Sequence, residues 1–502
     1  MVSAFRFFKI DILTVKEYLG MKLIAMYLPQ FHEIEENNRA WGKGFTEWDN
    51  VRKAKPLFDG HDQPREPLND NYYNLLDIRT LEWQSELAKM YGIYGFCFYH
   101  YWFRDGKHVL EKPSELLLRH TEIDLPFCFS WANEPWTKTW HGAAGEKEVL
   151  IEQRYGAEQQ WKEHFEYLLP FFQDARYIKV ENKPMFLIYQ IHAIGCFGRM
   201  MECWEKMAVE NGFAGIYIVD MLTVNGKVCK GKWVNANVEF EPSKILGRLK
   251  RTHEGLAVYD YDEACKEMLK VRHRKNSYRS VFAGYDDSPR RGGNGTIFQG
   301  QASEKFGKYL QKTIRLSESE DNDIVFINAW NEWGESNYLE PDKKDEYGYL
   351  EAVQKALMGE YPDIEIEMAK EKDPVTPEDK FRAYFEVCNQ WLKIQNDGYS
   401  VESFFKEKGY KKIAIYGVSE LGNRLAEALV PTEIEVVYGI DRNVCVAFSE
   451  IINIKGLEEE KWFDGIDCIV VTPVHVFEEV GEALKRKSDC DIVSLEEVIY
   501  SI

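Results

Sequence analysis

Eight short apolar runs recur between residues 22 and 330: "KLIAMYL" (22–28), "IYGFCFYH" (93–100), "PFCFSW" (126–131), "PMFLIYQ" (184–190), "AGIYIVD" (214–220), "VNANVEF" (234–240), "SVFAGYD" (280–286) and "IVFINAW" (324–330). Most are continuous rather than alternating, the pattern of parallel strands covered on both faces. Helix-patterned stretches separate most of them. "IRTLEWQSELAKMYG" (78–92) puts Trp83, Leu87 and Met90 on a shared face, and "EQQWKEHFEYLLPFFQ" (158–173) is similar. This alternation predicts an α/β fold, a (β/α)8 TIM-like barrel with insertions.

The pattern changes after residue 360. "EIEMAKEKDPVTPEDK" (365–380) is charged, holds two prolines and reads as a linker. A helix follows over 378–398, ended by Gly398. "GYKKIAIYGVSELGNRLAEAL" (409–429) reads as strand, glycine turn and helix, and two more strands follow at 433–443 and 467–473. This is the pattern of a small Rossmann-like α/β domain. The expected organisation is a barrel over 21–360, a linker and helices over 361–408, and the Rossmann-like domain over 409–502. Residues 1–20 read as a non-native leader rather than a signal peptide. Asp11 interrupts their apolar part, no small-x-small site follows, and Met21 opens the first strand directly.

Charge and cysteine usage narrow the functional classes. A net charge of −20 argues against nucleic acid or an anionic membrane as partner. No apolar run reaches the ~18 residues of a membrane span. Ten cysteines with no CxxC spacing fit free thiols, so a cytoplasmic location is expected. No HExxH, HxH or acidic calcium-loop spacing occurs, and nothing in the chain requires a metal or cofactor.

The chemistry gathers where the apolar runs end, which in this barrel is the active-site face. Tyr27 and His32 follow the first run, and His100, Tyr101 and Trp102 the second. Trp131, Asn133, Glu134 and Trp136 follow the third, Tyr189 the fourth, Asp220 the fifth and Glu239 the sixth. Asp286 and Asp287 follow the seventh. Glu332 and Glu335 follow the eighth, among Trp330, Asn331 and Trp333. Two nearby carboxylates can divide acid and base roles, as glycoside cleavage requires. Indole and phenol faces suit a sugar ring. The loop "SWANEPWTKTWHG" (130–142) offers three indoles among polar groups, the mix of a sugar subsite. It also fits a loop whose tryptophans plug the barrel top. Asn331 or Ser336 capping a helix, with acids near its N-terminus, is the plain reading of the last pair.

The stretches "YLPQFH" (27–32), "GKGFTEW" (42–48), "FCFYHYWF" (96–103), "SWANEPW" (130–136), "DDSPRR" (286–291) and "NAWNEWGESNYLEPD" (328–342) resemble the WbsX-like family of polysaccharide-locus proteins. That family is similar to glycoside hydrolase family 99, which contains endo-acting α-mannosidases. The resemblance spans about residues 21–360. It implies that Glu332 is a base on the substrate's own 2-hydroxyl, giving a 1,2-anhydro sugar, and that Glu335 is the acid/base. It adds Tyr27 and Trp48 to the expected substrate contacts. Family 99 has a longer residue between the glutamates and glycine after the second. Gly334 and Ser336 stand there instead, and are expected to leave an opening that selects the substrate.

His32 and His100 suit hydroxyl binding or a plain backbone-satisfied role. Arg290 and Arg291 suit a phosphate of a lipid- or nucleotide-linked sugar, or a solvated role. In the second domain, "GVSELG" (417–422) has Ser419 where a dinucleotide turn has its middle glycine, and Asp441 stands where a ribose-binding acid would. A tight turn and a cap explain the same residues. The expected partner is an oligosaccharide or polysaccharide. The expected activity is hydrolysis or transfer of α-linked mannose- or rhamnose-type sugars. A nucleotide- or lipid-donor glycosyltransferase and a non-catalytic glycan-binding protein stand beside it.

Overall fold

The computed structural model describes residues 20–138, 148–223, 233–253, 255–366, 368, 377–442, 447, 449 and 451–502. The expected leader, apart from Gly20, and the third indole of the 130–142 loop, Trp140, lie outside them.

Eight parallel strands close into a barrel: β1 (Lys22–Tyr27), β2 (Gly95–Trp102), β3 (Phe127–Trp131), β4 (Lys183–Ile188), β5 (Tyr217–Leu222), β6 (Ala236–Glu239), β7 (Ser277–Phe282) and β8 (Ile324–Asn328). Closure is by β1, which pairs with β8 from Lys22↔Ile324 to Ala25↔Ile327 and with β2 from Ile24↔Gly95 to Tyr27↔Phe98. All eight predicted runs are barrel strands. The asparagine-bearing sixth run shortens to the four residues of β6.

Helices form where the 3.6-residue period and the end signals agree. Helix α1 (Glu47–Lys53) starts with a capping box between Thr46 and Asp49. Helix α2 (Ile78–Tyr91) is capped by the Asp77 side chain, which accepts from the Arg79 amide. It ends on Gly92, at φ 87°, a left-handed position that a side chain would resist. Helix α3 (Glu158–Gln173) buries Trp161, His164, Phe165 and Leu168 against the barrel's outer face.

The second compact unit comprises 192–202, 229–233 and 370–502. Its strands β9 (Lys412–Tyr416), β10 (Glu435–Asp441), β11 (Ile454–Gly456), β12 (Cys468–Val471) and β13 (Asp491–Ser494) form one parallel sheet in the order β11-β10-β9-β12-β13. That is the doubly wound order, in which the first strand sits beside the fourth. Helix α4 (Pro377–Asn396) belongs to this unit. Its Val387, Trp391 and Ile394 join Ile413, Ile415 and Leu425 in one core. At the turn after β9, Asp441 accepts from the Val418 amide at 3.0 Å. Among the described residues no helix is long and apolar enough to cross a membrane.

Candidate active site

Strand β8 is wholly buried, and the chain leaves it through a short hairpin, Asn331–Glu332 against Asn337–Tyr338, with a single 3₁₀ turn at Trp333–Glu335. One buried carboxylate anchors this turn. Glu340 Oε1 accepts from Gln84 Nε2 at 2.6 Å and Trp330 Nε1 at 3.0 Å. Its Oε2 accepts from Trp333 Nε1 at 2.6 Å and the Tyr73 hydroxyl at 2.8 Å. Burial pushes Glu340 up to about 7 against the pull of these four donors. Asn331 completes the anchorage like an extra strand residue: its Oδ1 accepts from the Leu28 amide at 2.7 Å and its Nδ2 donates to the Leu28 carbonyl at 3.0 Å.

The two glutamates thus sit on a rigid turn, and a guanidinium holds them together. Arg290 lies in the short helix Ser288–Arg291 that follows β7. Its Nη2 donates to Glu332 Oε2 at 2.9 Å, its Nη1 to Glu335 Oε1, and its Nε to Glu47 Oε1 at 2.7 Å. The Arg290 side chain is 2% exposed, Glu332 7% and Glu335 18%, so the pair is dry but open on the Glu335 side. Burial and then the charge of Glu332 push Glu335 up to about 8, against Arg290. Burial also raises Glu332, with Arg290 lowering it and Glu47 raising it. At neutral pH Glu335 therefore holds its proton, the state of a general acid, beside a carboxylate that Arg290 keeps closer to ionised.

Half-buried phenols surround the pair. Tyr99 and Tyr101 come from β2, with Tyr189 just past β4 and Tyr285 past β7. Burial and then the charges of Glu332 and Glu335 raise the Tyr99 phenol. Burial and then Glu335 raise Tyr285, while burial, Glu134 and Glu335 raise Tyr189. All stay neutral donors at physiological pH. Among the described residues no group of three or more His, Cys, Asp or Glu side chains is arranged to hold a metal ion.

The family model described as "Glycosyltransferase WbsX" matches residues 23–353. The chain belongs to this family. An uncharacterized protein WxcX of Xanthomonas campestris pv. campestris is 34% identical over 363 residues, which cover 70% of this chain and 52% of that protein. Its counterpart in a second strain of the pathovar is 34% identical over 367 residues, covering 71% and 52%. The chain thus spans about half the length of the curated relatives it matches. Among solved structures, a family 99 endo-α-mannosidase from Bacteroides thetaiotaomicron matches with a TM-score of 0.43 at 13% identity, over 67% of this chain and 96% of that one.

In this WbsX-family barrel most of the aromatic residues expected to touch sugar are packed away. Side chains alternate along a strand, and Tyr27, His100 and Trp131 fall on the helix-facing side. Tyr27 is fully buried, its ring 4.2 Å from Phe98 and its hydroxyl on Gln84 of α2 at 2.7 Å. His100 Nε2 lies 2.8 Å from His164 Nε2 of α3, and burial, then His108, lowers it to about 3. Trp131 donates to the Trp102 carbonyl at 3.0 Å and is 1% exposed. Trp48, 3% exposed, packs on Phe31 and donates to the Tyr73 carbonyl at 2.8 Å. Trp330, Asn331 and Trp333 are spent on anchoring the turn.

The polar expectations divide in the same way. His32 is fully buried, and burial, then Lys112, lowers it to about 4. Asp286 takes His61 Nε2 at 2.7 Å, Gln63 Nε2 at 2.6 Å and the Ser288 amide at 2.9 Å. Glu239 faces the helix layer and pairs with His273 at 3.2 Å. Asn133 bridges the Gln190 amide and carbonyl, each at 2.8 Å. Trp136 joins Phe103, Val109, Leu110 and Ile151 in a small core and meets the Tyr101 ring edge-on at 5.2 Å. Tyr101 lies near enough to feel the charge of both glutamates and Tyr189 that of Glu335, and Glu134 is exposed beside Gln190.

Four residues of the site escaped the sequence reading in these roles: Glu47, Tyr99, Tyr285, and Arg290 as counter-ion to the glutamates. Parity within "FCFYHYWF" separates Tyr99 and Tyr101 from His100 and Trp102, and carries that signal. The expected opening at Gly334 is absent. A Cβ there would lie 1.9 Å from Glu47 Oε1 and 2.7 Å from Arg290 Nε, so the ion cluster fills the space. Ser336 is likewise taken, its hydroxyl accepting from Gln63 Nε2 at 2.7 Å.

Proposed function

We propose that this chain is a glycan-active enzyme that hydrolyses or transfers α-linked mannose- or rhamnose-type sugars of a bacterial surface polysaccharide or its precursor. Glu335 serves as acid/base, and Glu332 as base on the substrate's 2-hydroxyl. The observation that carries this reading is the Arg290-bridged pair, in which Glu335 is raised to about 8 beside a carboxylate held by the same guanidinium. The acid delivers its proton to the leaving oxygen as the 2-oxygen closes on the anomeric carbon. The resulting carboxylate then takes a proton from the water or acceptor hydroxyl that attacks the anomeric carbon, the bond from that carbon to the 2-oxygen breaks, and Glu332 returns its proton to the 2-oxygen. Tyr99, Tyr101, Tyr189 and Tyr285 supply ring faces and hydroxyl donors for the sugar.

A glycosyltransferase with a nucleotide- or lipid-linked donor is the second reading, favoured by the name the WbsX glycosyltransferase family carries. It calls for cations to hold a diphosphate. Both arginines once available for that are engaged: Arg290 by three glutamates, and Arg291 by Asp287 at 3.1 Å. This supports hydrolysis or transglycosylation.

The test is turnover of defined α-mannosides and α-rhamnosides, with and without nucleotide sugars, by wild type, Glu332→Gln and Glu335→Gln. Each substitution is expected to lower kcat about 10²–10⁴-fold. Unchanged turnover in both variants overturns the assignment. Activity only with a nucleotide donor selects the second reading, and binding without turnover selects a glycan-binding protein.

A further inference from the structure

One guanidinium serves three carboxylates. Glu47 is 2% exposed at the first position of α1, fixed there by the capping box of Thr46 and Asp49. It takes Arg290 Nε, while the two terminal nitrogens go to Glu332 and Glu335. With all three ionised, the cluster would hold two uncompensated negative charges in nearly dry surroundings. Among the described residues, the other groups facing it do not supply the missing charge. Arg291 is matched by Asp287 at 3.1 Å, and Tyr99, Tyr101, Tyr189 and Tyr285 are neutral phenols. Like carboxylates this close, short of a counter-charge, do not all ionise.

The backbone has made room for this contact. Any side chain at position 334 would meet the Glu47 carboxylate and the Arg290 Nε edge. The glycine between the two glutamates is therefore where the third glutamate sits.

We propose that Glu47, acting through Arg290, is a positioning residue of the glutamate pair: by occupying one edge of the guanidinium it leaves too little positive charge to ionise both Glu332 and Glu335, and so keeps a proton on Glu335. The use of that proton on a leaving oxygen rests on the function proposed above. The presence of the proton does not.

The experiment is an infrared titration of the full chain. It follows the carboxylic-acid carbonyl band identified by its loss in Glu335→Gln, with melting temperatures read on the same samples. In wild type the band persists at pH 7 and titrates above it. Glu47→Gln and Glu47→Ala remove the competing charge and move the midpoint down by about one pH unit. Glu47→Asp keeps the charge and keeps the midpoint near that of wild type. Either charge-removing variant that folds is sufficient. A melting temperature that drops while the midpoint stays in place makes Glu47 merely structural and overturns the proposal. So does a wild-type band absent at pH 7. A band that moves as expected in an enzyme inert on every α-glycoside leaves Glu47 its role and removes the proposed function instead.

Discussion

Replacing Gly334 by alanine puts a methyl group within 1.9 Å of a Glu47 carboxylate oxygen. Neither that carboxylate nor Arg290 has room to retreat, since both are 2% exposed. The expected cost is about 1–3 kcal/mol of stability, the range for overpacking a filled core. Urea titration of the alanine variant measures it, and a shift within error of wild type would show that the cluster yields. At this scale the sequence revealed the catalytic candidates but not their counter-ion. Glu332 and Glu335 stand out because they follow an apolar strand. Glu47 and Arg290 lie 243 residues apart in the chain and meet only when the barrel closes. Their partnership has no local signature. The tryptophans at the strand ends misled for a related reason: an indole wanted by a sugar and one wanted by a buried carboxylate look alike in a string of letters.

The element that matters most is the turn after β8, and Glu340 decides its conformation. Glu340→Gln turns one oxygen into a donor that faces two donors, and whichever oxygen it is, one of them is an indole N–H with no acceptor capacity. A loss of about 2–4 kcal/mol is expected, together with a fall in kcat, because Glu332 and Glu335 ride on the released turn. Denaturant melts and steady-state kinetics on one preparation check both. Normal kcat with reduced stability would mean that the turn holds its shape without its anchor. Strand and helix identities were readable because continuous apolar runs and 3.6-residue periods are local properties. The side each residue presents required counting parity along β1, β2 and β3. Tyr27, His100 and Trp131 lie on the outer parity, so a position at a strand's end did not place them at the mouth.

For the whole barrel, buried titratable groups set opposing pH dependences. Glu335 and Glu340, raised from 4.5 to about 8 and about 7, hold protons in the folded state that the unfolded chain has released. Stability from this source falls as pH rises from about 4.5 to 8. His32 and His100, lowered from 6.5 to about 4 and about 3, stay neutral where the unfolded chain is protonated. Stability from this source falls as pH drops below about 6.5. The two sources balance near pH 5.5, the expected optimum, with about 2 kcal/mol lost by pH 8 and a flatter alkaline side in Glu335→Gln. Tryptophan emission is a suitable probe, since 12 of the 14 tryptophans precede residue 340 and mostly report on the barrel. A flat profile from pH 6.5 to 8 would refute the raised glutamates. The anchorage of the turn also imposes an order on synthesis. Leu28, Tyr73 and Gln84 leave the ribosome some 250 to 300 residues before the segment they grip. Until that segment arrives, the turn that brings Glu332 and Glu335 to Arg290 does not exist and the tyrosines have nothing to surround. A growing chain can therefore hold the phenols of β2 and those past β4 and β7 long before the carboxylates they lie near are in place. The carboxylate cluster is complete only once β8 joins β1 and the barrel closes.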